Sequence, residues 1–103
     1  MLQLLKIRGH SLFPDFREGD YVLISRFPFP SVKIRQGDVI VFCQPGYSPM
    51  IKRVRQVIDD GSAFEVRGTQ VDSTDSRNFG PVRREQVTGK VIWHIRQPKD
   101  RTE

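Results

Sequence analysis

Apolar residues along this chain come in short runs of Val, Ile, Leu and Phe broken by turn residues, and no long stretch repeats them at i, i+3, i+4 and i+7. The pattern predicts a mainly β protein with strands over Leu2–Ile7, Tyr21–Ser25, Val39–Gln44, Met50–Ile58, Ala63–Arg67 and Lys90–Ile95. Asp60-Gly61 falls where a hairpin turn joins the fourth strand to the fifth, and Arg83–Val87 reads as one helical turn. Pro28-Phe29-Pro30, Pro45-Gly46 and Thr69–Pro81 read as loops. The last is long for so small a chain, which marks it as a candidate functional loop. The expectation is a single compact domain of six to seven short strands over residues 1–96, followed by a polar tail over 97–103.

One internal echo stands out. Arg17-Glu18-Gly19-Asp20-Tyr21-Val22-Leu23-Ile24 resembles Arg35-Gln36-Gly37-Asp38-Val39-Ile40-Val41-Phe42. Two copies do not make a solenoid; each Gly-Asp is expected to supply a turn before a buried strand. The most apolar strand ends at Cys43, read as a small buried hydrophobe, and Trp93 and Phe42 are read as core. His94, beside Trp93, is assigned a structural or surface role.

Composition narrows the class. The 103 residues are 37% hydrophobic with seven Phe, enough for one small core, and 17 Lys and Arg against 12 Asp and Glu leave a net charge of +5. That charge permits nucleic acid, anionic lipid or acidic protein as partner without selecting among them. The longest apolar run, Val39–Cys43, is far below the roughly 20 residues of a membrane-spanning helix, and the N-terminus has no signal-peptide pattern. A soluble, cytoplasmic protein without an integral membrane segment is the expectation. A single Cys excludes an internal disulfide, and two His with one Cys do not assemble a typical zinc site. No metal or other cofactor is expected.

Several chemistries lack their motif: there is no Gly-x-Ser-x-Gly, no Ser-x-x-Lys and no glycine-rich phosphate loop. Three segments remain. In Arg8-Gly9-His10-Ser11-Leu12-Phe13-Pro14 a serine lies between a permissive Gly and a rigid Pro, just after an apolar strand. In Met50–Ile58, strand alternation puts Lys52 on one face with Met50, Val54 and Ile58, and Arg53 and Arg55 on the other. A lysine among apolar neighbours is pushed toward its neutral form and becomes usable as a base; a lysine that snorkels to the rim stays charged. In Gly68–Val82, Asp75 and Arg77 are spaced for a local ion pair, and Ser73, Thr74 and Ser76 supply hydroxyls.

Taken in order, Gly9-His10-Ser11-Leu12-Phe13-Pro14, Gly19-Asp20, Gly37-Asp38, Ile51-Lys52-Arg53-Val54 and Ser73-Thr74-Asp75-Ser76-Arg77 resemble the motif series of the serine/lysine peptidases of the signal peptidase I type, with the LexA-like self-cleaving peptidases as a more distant relative. The resemblance covers roughly residues 7–95 and implies a β-barrel-like catalytic core. It implies Ser11 as nucleophile, Lys52 as general base, Ser73 as the group orienting the Lys52 amine, and Asp75 with Arg77 as the ion pair holding that loop. It further implies an oxyanion hole from Ser11 and Gly9, and a substrate pocket involving Leu12 and Phe13. The substrate it implies is a precursor protein bound as an extended peptide and relieved of an N-terminal leader or propeptide.

The physical logic runs parallel: a serine needs a proton acceptor, the acceptor needs an orienting group, and a lysine serves only if desolvated. Leu12 stands where the family has Met, and Thr69-Gln70 where it has Asp-Asn. The family's transmembrane anchor and large extra β domain have no counterpart in the sequence, which favours a soluble precursor as substrate. The run Ser73–Val82 is most similar to the nickel-type superoxide dismutase maturation proteases.

Two other readings stay open at this point. A basic β-barrel that binds nucleic acid is motivated by the charge, Arg53, Arg55, Arg83, Arg84 and the phenylalanines, but its cations are scattered and it lacks an RNP-like aromatic motif. A catalytically inactive binding domain would keep the fold, yet Ser11 and Lys52 are both intact. His10 adjoins Ser11 but in extended chain points to the opposite side. LexA-like self-cleavage lacks its Ala-Gly or Cys-Gly cleavage pair.

Overall fold

In the computed structural model, residues 2–8, 16–26, 33–47, 49–68 and 74–96 are described. The strands are β1 (Leu2–Lys6), β2 (Tyr21–Ser25), β3 (Val39–Phe42), β4 (Met50–Ile58), β5 (Ala63–Arg67), β6 (Val82–Arg83) and β7 (Val87–Ile95), with one short helix, α1 (Ser76–Phe79), between β5 and β6. They form one antiparallel sheet in the order β1-β2-β7-β3-β4-β5-β6, curved into a half-barrel. The mainly β, single-domain expectation is met. β7 is central: the long C-terminal strand lies between β2 and β3 and ties the two halves of the chain together.

Alternation along the strands builds two cores, one on each face. Val39 packs with Ile7, Phe16, Val22 and Ile24, while its neighbour Ile40 packs with Ile34, Phe42, Val54, Phe64, Val66 and Val82. Each fully buried aliphatic or aromatic side chain in these clusters contributes roughly 1.5–3 kcal/mol.

Several elements differ from the sequence pattern, each for a local reason. β3 stops at Phe42 because a turn at Pro45-Gly46, closed by Tyr47 N–H donating to the Gln44 carbonyl at 3.0 Å, takes the chain away. β7 begins three residues earlier than the expected Lys90, at Val87, which pairs with Phe42. Gly89 breaks the β-branched run in sequence, yet Ile24 and the Ser25 carbonyl crowd the space a Cβ would take, so the bare backbone is what lets β7 fit there. The expected loop over Thr69–Pro81 carries α1 in its described part. The helical turn near Arg83–Val87 is a three-residue 3-10 turn, Arg84–Gln86.

Two bulges reassign faces. In β4 the register slips between Val54 and Gln56, so Val57 rather than Ile58 returns to the face that Val54 occupies and packs on the core. In β7, Leu23 pairs with Trp93 but Ile24 pairs with Val91, leaving Ile92 as an extra residue. Trp93 is thereby 65% exposed, correcting its assignment to the core, whereas Phe42 is fully buried as expected. Cys43, read as buried, is exposed, because it lies one residue beyond the end of β3. The tail over 97–103 lies outside the described residues.

Candidate active site

Lys52 is the point from which the site is built. It sits in β4 opposite Ile40 of β3, with Val54 buried beside it on the same face, and is itself only 5% exposed. Apolar cross-strand and same-face neighbours follow directly from the alternation Met50-x-Lys52-x-Val54. Burial lowers the Lys52 pKa from the usual 10.5, since it penalises the ammonium form; the charge of Asp75 pulls it back up and that of Arg77 pushes it further down. The ion pair thus acts on Lys52 with opposing signs, and desolvation dominates.

Asp75 and Arg77 form the pair that their spacing predicts. Asp75 is fully buried; its Oδ2 accepts from Arg77 Nη2 at 2.8 Å and from the Gly68 N–H at 3.0 Å, and its Oδ1 accepts from the Arg77 N–H and Nε, both at 3.0 Å. Burial by itself raises a carboxyl pKa, but the hydrogen bonds from the Arg77 side chain and from the Gly68 and Arg77 amides outweigh it and bring Asp75 down to about 2. Asp75 also caps α1: Asn78 Oδ1 accepts from the Asp75 N–H at 3.0 Å in a reciprocal capping box. Ser76 fastens the same loop to β5, its Oγ accepting from the Val66 N–H at 2.9 Å.

A cleft of about 390 Å³ lies on the other face of the sheet, floored by Leu5, Ile7, Ile24, Val41 and Ile51, with Cys43 on its wall. Among the described residues β1 is the terminal strand of the sheet, and β5 pairs with β4 from Arg53 onward.

Of the residues singled out from the sequence, Lys52, Asp75 and Arg77 are therefore brought together. Ser11, Gly9, Leu12, Phe13 and Ser73, as well as His10, lie outside the described residues. Two features were missed. His94 Nε2 lies 2.8 Å from Asp20 Oδ2, and Lys90 Nζ lies 3.1 Å from Asp38 Oδ2, so the repeated Gly-Asp carries two carboxylates that both reach β7. The repeat was visible; its partners 52 to 74 residues away were not. Among the described residues no cluster of His, Cys, Asp and Glu could hold a metal ion, and no helix is long and apolar enough to cross a membrane.

Comparison with known proteins adds the class. Residues 1–79 match the family model described as Peptidase S24-like, and the chain belongs to that family. The protein is thus a peptidase by family. It is also similar to signal peptidase I V of Bacillus subtilis (strain 168), 23% identical over 136 aligned positions that cover 84% of this chain and 81% of that protein. Both matches support the wider LexA/signal peptidase superfamily rather than the nickel superoxide dismutase group within it.

Proposed function

We propose that this peptidase is a serine endopeptidase in which Ser11 is the nucleophile and Lys52 the general base. The observation that carries the reading is the burial of Lys52 among apolar side chains beside an ion pair. A lysine with its usual pKa is neutral in only about one molecule in 2,500 at pH 7, and desolvation is the physical route to a larger neutral fraction.

Neutral Lys52 takes the Ser11 hydroxyl proton as Oγ attacks the scissile carbonyl. Amides of Ser11 and Gly9 hold the resulting oxyanion. The Lys52 ammonium returns its proton to the leaving amine, and Lys52 then activates the water that hydrolyses the acyl-enzyme. Ser73 orients the amine, and Asp75 with Arg77 anchors the loop that carries Ser73.

The substrate is a precursor protein whose N-terminal leader or propeptide lies as an extended strand along β1, with the apolar cleft and Leu12 and Phe13 taking its side chains. The precursor of a nickel superoxide dismutase is the candidate suggested by the run Ser73–Val82. The nucleic-acid reading is the weaker one, since three of its four named cations have protein partners: Arg55 pairs with Glu65, Arg83 with Glu85, and Arg53 donates to the Gly37 carbonyl.

Cleavage of a candidate precursor by the wild-type chain and by Ser11→Ala and Lys52→Ala tests the proposal. Both variants are expected to be inactive and folded; full cleavage by either one overturns the dyad.

A further inference from the structure

The two Gly-Asp turns are the same structure built twice. In the first, the Arg17 N–H donates to Asp20 Oδ2 at 3.0 Å and the Asp20 N–H to the Arg17 carbonyl at 3.0 Å; in the second, the Arg35 N–H donates to Asp38 Oδ2 at 2.8 Å and the Asp38 N–H to the Arg35 carbonyl at 3.0 Å. Gly19 and Gly37 take φ of 96° and 93°, a left-handed conformation open to glycine.

Each turn then grips another segment through two backbone bonds. The Gly19 N–H donates to the Ile7 carbonyl at 2.9 Å, and the Ile7 N–H to the Asp20 carbonyl at 2.7 Å. The Gly37 N–H donates to the Val54 carbonyl at 2.8 Å, and the Val54 N–H to the Asp38 carbonyl at 2.7 Å.

What the turns grip is telling. Ile7 stands four residues ahead of Ser11, and Val54 two residues beyond Lys52. Both carboxylates are held from β7, Asp20 by His94 and Asp38 by Lys90. A carboxylate only accepts, so the His94 Nε2 facing Asp20 carries the proton; the ring also stacks on Phe16, with centroids 4.4 Å apart. His94 and Lys90 are four residues apart and would share a face in a regular strand. The extra residue at Ile92 breaks that alternation, so His94 turns to the face of Val22 and Lys90 to that of Ile40.

We infer that these turns are positioning clamps for the two halves of the dyad, Asp20 with His94 holding the chain that leads into Ser11 and Asp38 with Lys90 holding the strand that carries Lys52, both registered on β7. The inference rests on the reading of Ser11 and Lys52 as the catalytic pair. Misplacement of a reacting group by about 1 Å can cost on the order of 100-fold in rate, so a shared spine for two segments far apart in sequence has a direct catalytic use.

The test measures kcat, KM and the pH–rate profile per folded molecule, with Ser11→Ala and Lys52→Ala as controls. His94→Leu is expected to lower kcat about ten-fold or more with little change in KM, and His94→Gln, whose side-chain N–H can still donate to Asp20, to restore most of it. The rising limb of the profile stays in place in both.

Asp38→Ala is expected to move that limb to higher pH, because a loosened β4 lets water reach Lys52. Removing the anion by charge alone would move it lower, so the sign separates positioning from simple electrostatics. Should Asp38→Ala not fold, Lys90→Met is read by kcat, expected to fall about ten-fold or more with little change in KM, since loss of a cation would by charge alone move the limb the same way. Unchanged kcat in His94→Leu, or a limb that stays or falls in Asp38→Ala, overturns the clamps while both controls remain inactive. Cleavage by Ser11→Ala overturns the dyad reading instead.

Discussion

Lys52 and Ile40 are direct cross-strand partners, and Ile40 is wholly inaccessible to solvent. An amine facing such a partner has exchanged water for hydrocarbon, a loss of hydration that falls on its charged form alone. Such a cost to stability is what the proposed role of Lys52 as general base would require.

Lys52→Met should therefore be inactive and at least as stable as the wild type. The substitution keeps the buried stem and deletes the desolvated charge. Thermal unfolding at neutral pH checks it; a clearly lower midpoint would show that the amine is well solvated after all.

The rate of cleavage should rise with pH along a limb set by Lys52 and lying below 10.5. Its pKa is lowered, so the base form grows as pH climbs through that lowered value. Stability has the same sign. Between the lowered pKa and 10.5 the unfolded chain binds the extra proton, and folding is favoured progressively as pH rises. A limb at 10.5 or above in the wild type would count against desolvation.

Arg77→Met should shift that limb upward. Arg77 lowers the Lys52 pKa and Asp75 raises it, so removing the guanidinium leaves the raising influence unopposed. Comparing pH–rate profiles of the two proteins decides the matter, and an unmoved limb would place the ion pair outside the electrostatics of the base.

Asp75→Asn should destabilise the fold. The carboxyl is fully buried and its pKa falls from 3.8 to about 2, which corresponds to stability on the order of 2 kcal/mol. That contribution is complete above the ordinary carboxyl pKa and is lost as pH drops toward 2. Chemical denaturation at pH 7 and pH 2 should show the difference between variant and wild type shrinking in acid.

Gly89→Ala should cost about 1–3 kcal/mol, as for other overpacked positions. The new methyl would overlap Ile24 Cγ2 and lie 3.0 Å from the Ser25 carbonyl oxygen, and backbone cannot swing aside as a long side chain can. Trp93→Ser, at an exposed position, should change stability by no more than about 0.5 kcal/mol, whereas Phe42→Ala should cost about 3–5 kcal/mol. Equilibrium denaturation of the three variants checks both statements.

Trp93 and Phe42 mark where the reading of the chain succeeds and where it stops. Period-two alternation and turn residues were sufficient to locate β2, β4 and β5, the hairpin near Asp60-Gly61 and the strand face that Lys52 shares with Met50 and Val54, because each depends on neighbours within a few residues. The Asp75–Arg77 pair was readable for the same reason.

Bulges are not encoded by local pattern. One at Ile92 exposes Trp93, and one beside Arg55 brings Val57 rather than Ile58 to the core. A two-residue strand such as β6 has no periodicity to detect.

By itself, then, the sequence determined a mainly β domain, the strand face that carries Lys52 and the local Asp75–Arg77 ion pair. Only the tertiary structure decided what the repeated Gly-Asp is for. The partners of Asp20 and Asp38 lie on a single distant strand, and no spacing along the chain announces which strand will come to rest between two others. That choice belongs to sheet order, set by the burial of both faces at once, and it is what brings the segment before Ser11 and the strand of Lys52 under one support.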